Sequence, residues 1–221
     1  QFKPDIVFHL AAQAIVSTSY SNPKLTFETN VLGTLNLLTV LAELKNKCIA
    51  IFVTSDKCYK NIEVTRGYTE TDELGGDDFY SSSKASAELV FHSFYKSFIK
   101  NKNTFLRIAT ARAGNVVGGG DWSKNRLIPD CAKNWSKGQT VILRNPNSTR
   151  PWQHVMEALS GYLHLAYELN KNKKLNGESF NFSNNEIKNF TVLKFIKGIQ
   201  KYWKNANWKV HKKSFFYEST L

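Results

Sequence analysis

Short apolar runs alternate with longer segments of mixed character along the first half of the chain. The runs at 5–11, 48–55 and 104–117 are rich in β-branched residues, which is typical of strands buried on both faces. The segments between them, 23–44 and 79–100, repeat apolar residues at helical spacing. This β-α-β-α-β order predicts an α/β fold in which a parallel sheet carries helices on both faces.

Beyond residue 118, polar loops separate shorter predicted elements. Helices are expected at 127–138, 155–169 and 191–203, and short strands at 140–144 and 179–183. The helical spacing also predicts one apolar face for each of the longer helices. In the segment 23–44 this face contains Phe27, Val31, Leu35, Leu38 and Ala42, and in the segment 155–169 it contains Val155, Leu159, Leu163 and Ala166.

Charge and composition narrow the function classes. Most of the net charge of +12 lies in the lysine-rich segment 171–213, which alone supports nucleic-acid binding as an alternative function. No apolar run approaches the roughly 18 residues that a membrane-spanning helix needs. Cys48, Cys58 and Cys131 have the spacing of neither a disulfide framework nor a zinc site. We therefore expect a cytoplasmic protein that uses no metal ion, no membrane and no nucleic acid.

Polar side chains gather where the predicted strands end. Ser55, Asp56 and Lys57 follow the apolar run 48–53 after a single threonine, and the residues 9–13 lie at the end of the first strand. Hydroxyl and charged groups at the end of a core strand are costly unless they are hydrogen-bonded or paired. Because ligands of parallel α/β sheets bind at the carboxyl ends of the strands, we expect a functional site at this edge.

A tyrosine and a lysine lie four positions apart at the start of the second predicted helix. Tyr80 and Lys84 share one face, because residues i and i+4 are neighbours on a helix surface. Tyrosine is a poor base at its usual pKa of about 10, and a nearby ammonium lowers that pKa by stabilising the phenolate. Such pairs arise often by chance, but the position after a strand that ends in Ser55-Asp56-Lys57 favours a general base.

No Gly-x-Gly-x-x-Gly turn follows the first predicted strand, although such a turn opens dinucleotide-binding folds. The glycines at 118–120 have the wrong spacing and occur late. We therefore expect a fragment whose first βαβ unit lies upstream of Gln1. An inactive, truncated nucleotide-binding protein is an alternative, because the absent turn would otherwise supply the helix N-terminus that holds pyrophosphate.

Seven motifs occur in an order that resembles the extended short-chain dehydrogenases/reductases, the NAD-dependent epimerase/dehydratase family. They are HLAAQ, TNVLGT, TSDKCY, YSSSKA, ARAGNVVGGGDW, RLIPD and RPWQHV, and the resemblance runs from Asp5 to Leu169. The triplet Ser55-Asp56-Lys57 is similar to the Thr-Asp-Glu of the dTDP-glucose dehydratases. The lysine variant, together with GGGDW and RPWQH, resembles the branch of 4,6-dehydratases that acts on CDP-sugars.

This resemblance implies the organisation and the partners of the protein. It implies a partial, Rossmann-like NAD-binding domain at 1–118 and a smaller substrate-binding lobe at 119–221, of which about 139–169 returns to the first domain. It also implies NAD as cofactor, CDP-glucose as substrate and a homodimer through the helices at 24–45 and 79–100. A nucleotide-sugar epimerase and another nucleotide-sugar 4,6-dehydratase are the alternatives. An epimerase would need the tyrosine–lysine pair but not the Asp-Lys pair.

The same resemblance implies five catalytic residues. Tyr80 would take the proton of the sugar 4-hydroxyl, while Ser55 would bond to that hydroxyl and Lys84 would assist the tyrosine and hold the nicotinamide ribose. Lys57 would remove the proton at C5 of the sugar. Asp56 would protonate the departing 6-hydroxyl, so that a 4-keto-6-deoxy sugar is formed.

Matching positions also imply binding residues. Those expected to contact the cofactor are Leu10, Ala11, Ala12, Gln13, Thr29, Tyr80 and Lys84. Those expected to contact the substrate are Ser55, Asn115, Arg126, Leu127 and Arg150. A guanidinium suits phosphate oxygens, and the alternative for the two arginines is an ion pair within their loops. His9 and His154 are assigned no role, and Trp122 and Trp152 either flank a base or pack a lid.

Overall fold

The computed structural model describes residues 2–64, 66–102, 104–183 and 190–211, so that part of the lysine-rich segment 171–213 lies outside the described residues. The strands are β1 Ile6–His9, β2 Cys48–Val53, β3 Leu106–Ala113, β4 Val116–Val117, β5 Val141–Leu143, β6 Gln153–His154, β7 Ser179–Phe182 and β8 Trp208–Val210. The α-helices are α1 Val16–Ser21, α2 Pro23–Phe27, α3 Gly33–Ala42, α4 Phe79–Phe94, α5 Leu127–Trp135, α6 Val155–Lys171 and α7 Val192–Gln200. The segment 104–117, expected to be one strand, contains two.

Four parallel strands form the main sheet in the order β1-β2-β3-β7. Phe8 of β1 is in register with Ile51 of β2, and Phe52 of β2 is in register with Thr110 of β3. All four strands therefore end at the same edge of the sheet, the edge at which the sequence predicts the site. The predicted α/β class, with a Rossmann-like parallel sheet, is confirmed.

Helices cover both faces of this sheet. On one face, Phe52 packs edge-on against Phe91 of α4, with ring centroids 5.6 Å apart. Ile51, which points to the opposite face, is also fully buried. On that side α6 approaches so closely that a Cβ at Gly161 would lie 2.4 Å from the ring of Phe182 in β7. The sheet is thus enclosed, as expected for strands with continuous apolar runs.

The apolar face predicted for the segment 23–44 is wrong in its first half. There the buried side chains are Thr26, Asn30 and Thr34, whereas Leu35 is 36% exposed. A π-helical turn, Glu28–Leu32, joins α2 to α3. A π turn contains more residues than an α turn, so a constant helical period cannot identify the buried face across it.

The apolar face predicted for the segment 155–169 is also wrong. Leu163 and Leu159 are 62% and 36% exposed, whereas Ala158 and Tyr162 are buried; Ala166 is buried as predicted. The close approach of α6 to β7 sets this orientation, because only a small residue fits at the point of contact. Apolar size alone therefore selected the wrong side of the helix.

The chain divides into two compact units at boundaries that differ from those expected. The first unit contains residues 1–61, 68–114 and 156–182, and the second contains residues 62–67, 115–155 and 183–221. The segment that returns to the first unit is 156–182 rather than about 139–169, because β7 pairs with β3 and α6 leads into it. The second unit has its own small sheets, β4–β6 and β5–β8, and its own apolar core.

Within the described residues, one helical stretch is long and apolar enough to cross a membrane by length and composition, namely Pro23–Ala42 with 20 residues. Such a stretch was not expected from the sequence, in which no run of apolar residues is that long. A core helix passes the same test, and Leu38 and Leu41 of this stretch pack with Phe91 of α4 in the main core. Core packing therefore accounts for part of its apolar character.

Candidate active site

Ser55, Asp56 and Lys57 leave β2 in a short 3-10 helix, Asp56–Cys58. The Ser55 Oγ accepts a hydrogen bond from the backbone N–H of Lys57 at 3.2 Å, and the Ser55 hydroxyl donates to Oδ1 of Asp56 at 3.0 Å. Ser55 is buried, while Asp56 and Lys57 are partly exposed. The polar groups at this strand end are therefore hydrogen-bonded or within reach of solvent, which removes the free-energy penalty of burying them unpaired.

The helix α4 carries Tyr80 and Lys84 and packs against this 3-10 helix. Asp78 caps its N-terminus: one carboxylate oxygen accepts from the Ser81 N–H at 2.9 Å and the other from the Ser81 hydroxyl at 2.6 Å. Such a cap stabilises the first turn, in which Tyr80 lies. Tyr80 and Lys84 are 8% and 6% exposed. Four of the five residues expected to be catalytic thus lie in two elements of the first unit that contact each other, and the fifth, Ser55, caps the 3-10 helix.

Burial dominates the electrostatics of Lys84. It lowers the pKa of the ammonium to about 8, against the opposing effect of the Glu88 carboxylate one helical turn away. Burial also lowers the pKa of His9 at the end of β1, and the charge of Lys84 lowers it further. Lys84 therefore lies close to the end of β1 as well as to the turn after β2, which is where the parallel-sheet argument places a site.

The loop after β1, which carries predicted cofactor contacts, is held by Asn30. Asn30 Oδ1 accepts from the backbone N–H of Gln13 at 2.8 Å, and Asn30 Nδ2 donates to the Gln13 carbonyl at 3.1 Å and to the Ser83 hydroxyl at 2.8 Å. Asn30 is 3% exposed and was missed by the sequence analysis. Its position directly after Thr29 in TNVLGT was the available signal. One buried amide thus links the loop to the helix of Tyr80.

Gln13 uses its side chain within the loop itself. Its Oε1 accepts from the backbone N–H of Ile15 at 2.6 Å, and its Nε2 donates to Oγ1 of Thr26 at 2.8 Å. The other predicted cofactor contacts are Leu10, Ala11 and Ala12 at this strand end and Thr29 in the π turn, and all four are exposed or partly exposed. The structure therefore gives Gln13 a role in loop structure, and contact with a cofactor stays a prediction.

The other residues expected to bind the substrate lie in the second unit. Asn115 accepts a backbone hydrogen bond from the start of β6 at 3.0 Å. Arg126 forms a 3.6 Å ion pair with Asp121, which is the alternative predicted for its loop, and Arg150 donates to the backbone carbonyl of the preceding residue at 2.6 Å. Leu127 packs against the apolar core of this unit. Their contact with a nucleotide stays a prediction.

A buried ion pair adjoins the site and was missed by the sequence analysis. Glu88 of α4 and Arg112 of β3 are 0% and 2% exposed, and Arg112 Nη2 donates to Glu88 Oε2 at 2.8 Å. Burial raises the pKa of Glu88, but the hydrogen bond and the charge of Arg112, with the neighbouring hydroxyls, hold it below its usual value. The four-residue spacing that links Tyr80, Lys84 and Glu88 was the available signal.

Trp122 and Trp152, which were expected either to flank a base or to pack a lid, have different surroundings within the second unit. The ring of Trp152 stacks on Phe195, with centroids 4.4 Å apart and planes nearly parallel. Trp122 is 63% exposed, and the ammonium of Lys133 lies over its ring. Trp152 is therefore a packing residue, and Trp122 presents its ring to solvent.

Solved structures share this fold at low sequence identity. An epimerase from Methanothermobacter thermautotrophicus has a TM-score of 0.83 and 21% identity, covering 98% of this chain and 62% of that chain. A dTDP-glucose 4,6-dehydratase variant from Streptomyces venezuelae, solved with NAD and DAU bound, has a TM-score of 0.75 and 21% identity. The match covers 94% of this chain and 61% of that chain. These similarities define the class of fold, a Rossmann-like α/β protein.

The family model described as GDP-mannose 4,6 dehydratase matches residues 1–216, and the chain therefore belongs to that family. It is 44% identical to the CDP-glucose 4,6-dehydratase of Salmonella typhimurium over 212 residues, which are 94% of this chain and 59% of that protein. It is 29% identical to the UDP-glucose 4-epimerase of Mycoplasma genitalium over 196 residues, which are 81% of this chain and 55% of that protein. The chain thus spans somewhat more than half the length of these two relatives.

Proposed function

We propose that the protein is an NAD-dependent CDP-glucose 4,6-dehydratase, a lyase that forms CDP-4-keto-6-deoxyglucose in deoxysugar and O-antigen biosynthesis. The observation that carries this proposal is the packing of the Ser55-Asp56-Lys57 turn against the helix of Tyr80 and Lys84. The 44% identity to the Salmonella CDP-glucose 4,6-dehydratase supports the substrate. An epimerase has no use for a second acid and base, so the Asp-Lys pair favours dehydration over epimerisation.

The residues at the strand ends fit a nicotinamide dinucleotide. Lys84 offers a buried ammonium that suits a ribose hydroxyl, and the exposed Leu10 and Ala11 leave the backbone after β1 open to a ligand. We assign these residues and Ala12 to NAD, with Gln13 acting by holding the loop. Bound NAD+ would accept a hydride from C4 of glucose and return it to C6, so that the sugar undergoes no net oxidation.

The protein's own residues would move the protons. Tyr80 takes the proton of the 4-hydroxyl, which Ser55 orients through its hydroxyl. Lys57 removes the C5 proton, which the 4-keto group makes acidic, and returns a proton to C5 when the hydride reaches C6. Asp56 protonates the 6-hydroxyl, which leaves as one molecule of water. The hydrogen bond from Ser55 to Asp56 supports this division, because it holds the acid beside the residue that contacts the sugar.

The protein, expressed from its complete open reading frame, is expected to convert CDP-glucose into the 4-keto-6-deoxy sugar when NAD+ is present. NMR and mass spectrometry would identify the product, with UDP-glucose, dTDP-glucose and GDP-mannose tested in parallel and Tyr80→Phe as the inactive control. Turnover of another nucleotide sugar with none of CDP-glucose would contradict the substrate. An inverted hydroxyl at C4 with no loss of water would favour the epimerase instead.

A homodimer is supported by the surface of the helices expected to form its interface. Four large apolar side chains of these helices are about half exposed. They are Leu25 of α2 (51%), Leu32 at the end of the π turn (50%), and Phe79 and Leu89 of α4 (50% and 56%). Exposed apolar groups of this size on a monomer mark interaction sites when they are contiguous.

The three cysteines are buried free thiols, which supports a cytoplasmic location.

Light scattering coupled to size-exclusion chromatography tests the dimer. Leu89→Glu is expected to shift the protein from dimer to monomer, because it places a charge in the proposed apolar interface. The matched control is Leu163→Glu on α6, where the leucine is 62% exposed and lies outside the two helices. A wild-type protein that is monomeric at micromolar concentration would contradict the proposal.

A further inference from the structure

The buried pair of Glu88 and Arg112 is joined to both flanks of the candidate catalytic turn. Thr54, which precedes Ser55, donates from its hydroxyl to Glu88 Oε1 at 2.5 Å. Tyr59, which follows Cys58, accepts from Arg112 Nη1 at 2.8 Å through its phenolic oxygen. The residues between these two anchors are the four of the segment 55–58, which includes the predicted hydroxyl, acid and base.

Further hydrogen bonds complete the surroundings of the pair. Glu88 Oε2 also accepts from the hydroxyls of Thr110 at 3.0 Å and Ser179 at 3.1 Å, and Arg112 Nη2 donates to the Ser179 oxygen at 3.0 Å. The Tyr59 hydroxyl donates to Asn181 Oδ1 at 2.6 Å. Strands β2, β3 and β7 and the helix α4 are thus joined at one carboxylate and one guanidinium.

We infer that Glu88 and Arg112 are positioning residues, whose ion pair holds the turn 55–58 in the arrangement that the proposed reaction requires, while the Glu88 carboxylate lies one helical turn from Lys84 and acts on its charge. The catalytic part of this inference rests on the proposed function. A 3-10 helix of three residues is too short to hold its own conformation, so its geometry depends on its contacts. These contacts include the Ser55 cap, a hydrogen bond from the Gly75 N–H to the Cys58 carbonyl at 2.9 Å, and the two anchors at Thr54 and Tyr59. Both anchors end on this one ion pair.

A purely stabilising role explains the pair less well. An ion pair removed from water adds little net stability compared with apolar residues of similar size. The surrounding core already contains apolar side chains such as Phe52 and Phe91 on the same face of the sheet. What the charged pair adds is a set of directional hydrogen bonds to Thr54 and Tyr59, which apolar side chains cannot make.

The pair also influences the charge of Lys84. Among the described residues, the ionisable groups that act on Lys84 or feel its charge are Glu88 from its own helix, Cys58 from the 3-10 helix and His9 from β1. Burial raises the pKa of Cys58 and lowers that of His9, so that both are neutral near pH 8. Among these groups Glu88 is therefore the anion that opposes the loss of the Lys84 proton.

The first test measures the charge of Lys84 without substrate or cofactor. The side-chain nitrogen of Lys84 is titrated by NMR in lysine-labelled protein, with the signal assigned through Lys84→Arg. Glu88→Gln is expected to lower the titration midpoint by about half a pH unit or more, because it removes the neighbouring negative charge. The control Glu43→Gln changes an exposed glutamate and is expected to leave the midpoint unchanged. An unchanged midpoint in folded Glu88→Gln would overturn the electrostatic part.

The second test loosens each anchor while the ion pair stays in place. Thr54→Val and Tyr59→Phe each remove one hydroxyl with little change in shape. Each is expected to speed amide exchange of Lys57 and Cys58 about fivefold or more, the effect of losing at least one hydrogen bond. Tyr59→Phe also removes the hydrogen bond to Asn181, so its effect should be the larger of the two. Turnover should fall by a similar factor or more, with little change in KM. The controls Thr34→Val and Tyr162→Phe remove hydroxyls of other buried residues in the same unit.

The two tests distinguish a failure of this inference from a failure of the proposed function. If the protein does not convert CDP-glucose, the proposed function fails, and the Lys84 titration and amide exchange still test the positioning role. If Thr54→Val and Tyr59→Phe lower only the unfolding free energy and leave exchange in the turn at the wild-type rate, the pair is structural and the inference is overturned. If exchange rises in the anchor variants and not in the controls, it is supported.

Discussion

Replacing Lys57 by methionine is expected to stop loss of water from CDP-glucose while oxidation at C4 continues. Methionine keeps the length of the side chain but cannot accept a proton, so the C5 proton stays in place. Removing a general base typically slows a reaction by about 10²–10⁴-fold. In a single turnover the variant should therefore accumulate reduced nicotinamide and the 4-keto sugar with its 6-hydroxyl intact.

Solvent deuterium gives the direct measurement. Wild-type protein in heavy water should place deuterium at C5 of the product, and Lys57→Met should leave C5 unlabelled, as read by NMR. The control is Lys60→Met, which changes an exposed lysine three residues away that pairs with Glu73 at 3.1 Å. If Lys57→Met eliminates water within about twofold of the wild-type rate, the general base is another group.

Glu88→Ala is expected to lower the free energy of unfolding by about 3–5 kcal/mol, because it leaves the Arg112 guanidinium buried without its carboxylate. Arg112 is 2% exposed, so solvent cannot replace the lost partner without local opening. Urea denaturation at neutral pH measures the effect. The exposed control Glu43→Ala should stay within about 0.5 kcal/mol of wild type.

The double variant Glu88→Met with Arg112→Met should recover most of this loss, since it leaves no unpaired charge. The pH dependence has a defined sign. Because the pKa of Glu88 is held below its usual value, the stabilisation is present at neutral pH and is lost as the pH falls through the folded-state pKa. The double variant should therefore lose less stability in acid than wild type. A loss below about 1 kcal/mol in Glu88→Ala would contradict the buried-pair description.

Local patterns were sufficient to predict most elements of the fold. β2 was predicted from the run CIAIFV, because an apolar, β-branched run of this length is stable only when it is buried inside a sheet. The cap of α4 was not predicted, although Asp78 precedes three serines. The buried face of the segment 23–44 could not be predicted, because the π turn changes the period and because Asn30 is buried by partners elsewhere in the chain.

For the candidate site, the sequence by itself determined which chemical groups follow each strand and that Tyr80 and Lys84 share a helical face. Both features depend only on neighbouring residues in the sequence, so they hold wherever the helix or the strand lies in the fold. Only the tertiary structure decided that Thr54 and Tyr59 end on Glu88 and Arg112. These contacts join residues 24 to 53 positions apart. They exist because buried polar groups must find partners, and the partner depends on which strands and helices meet.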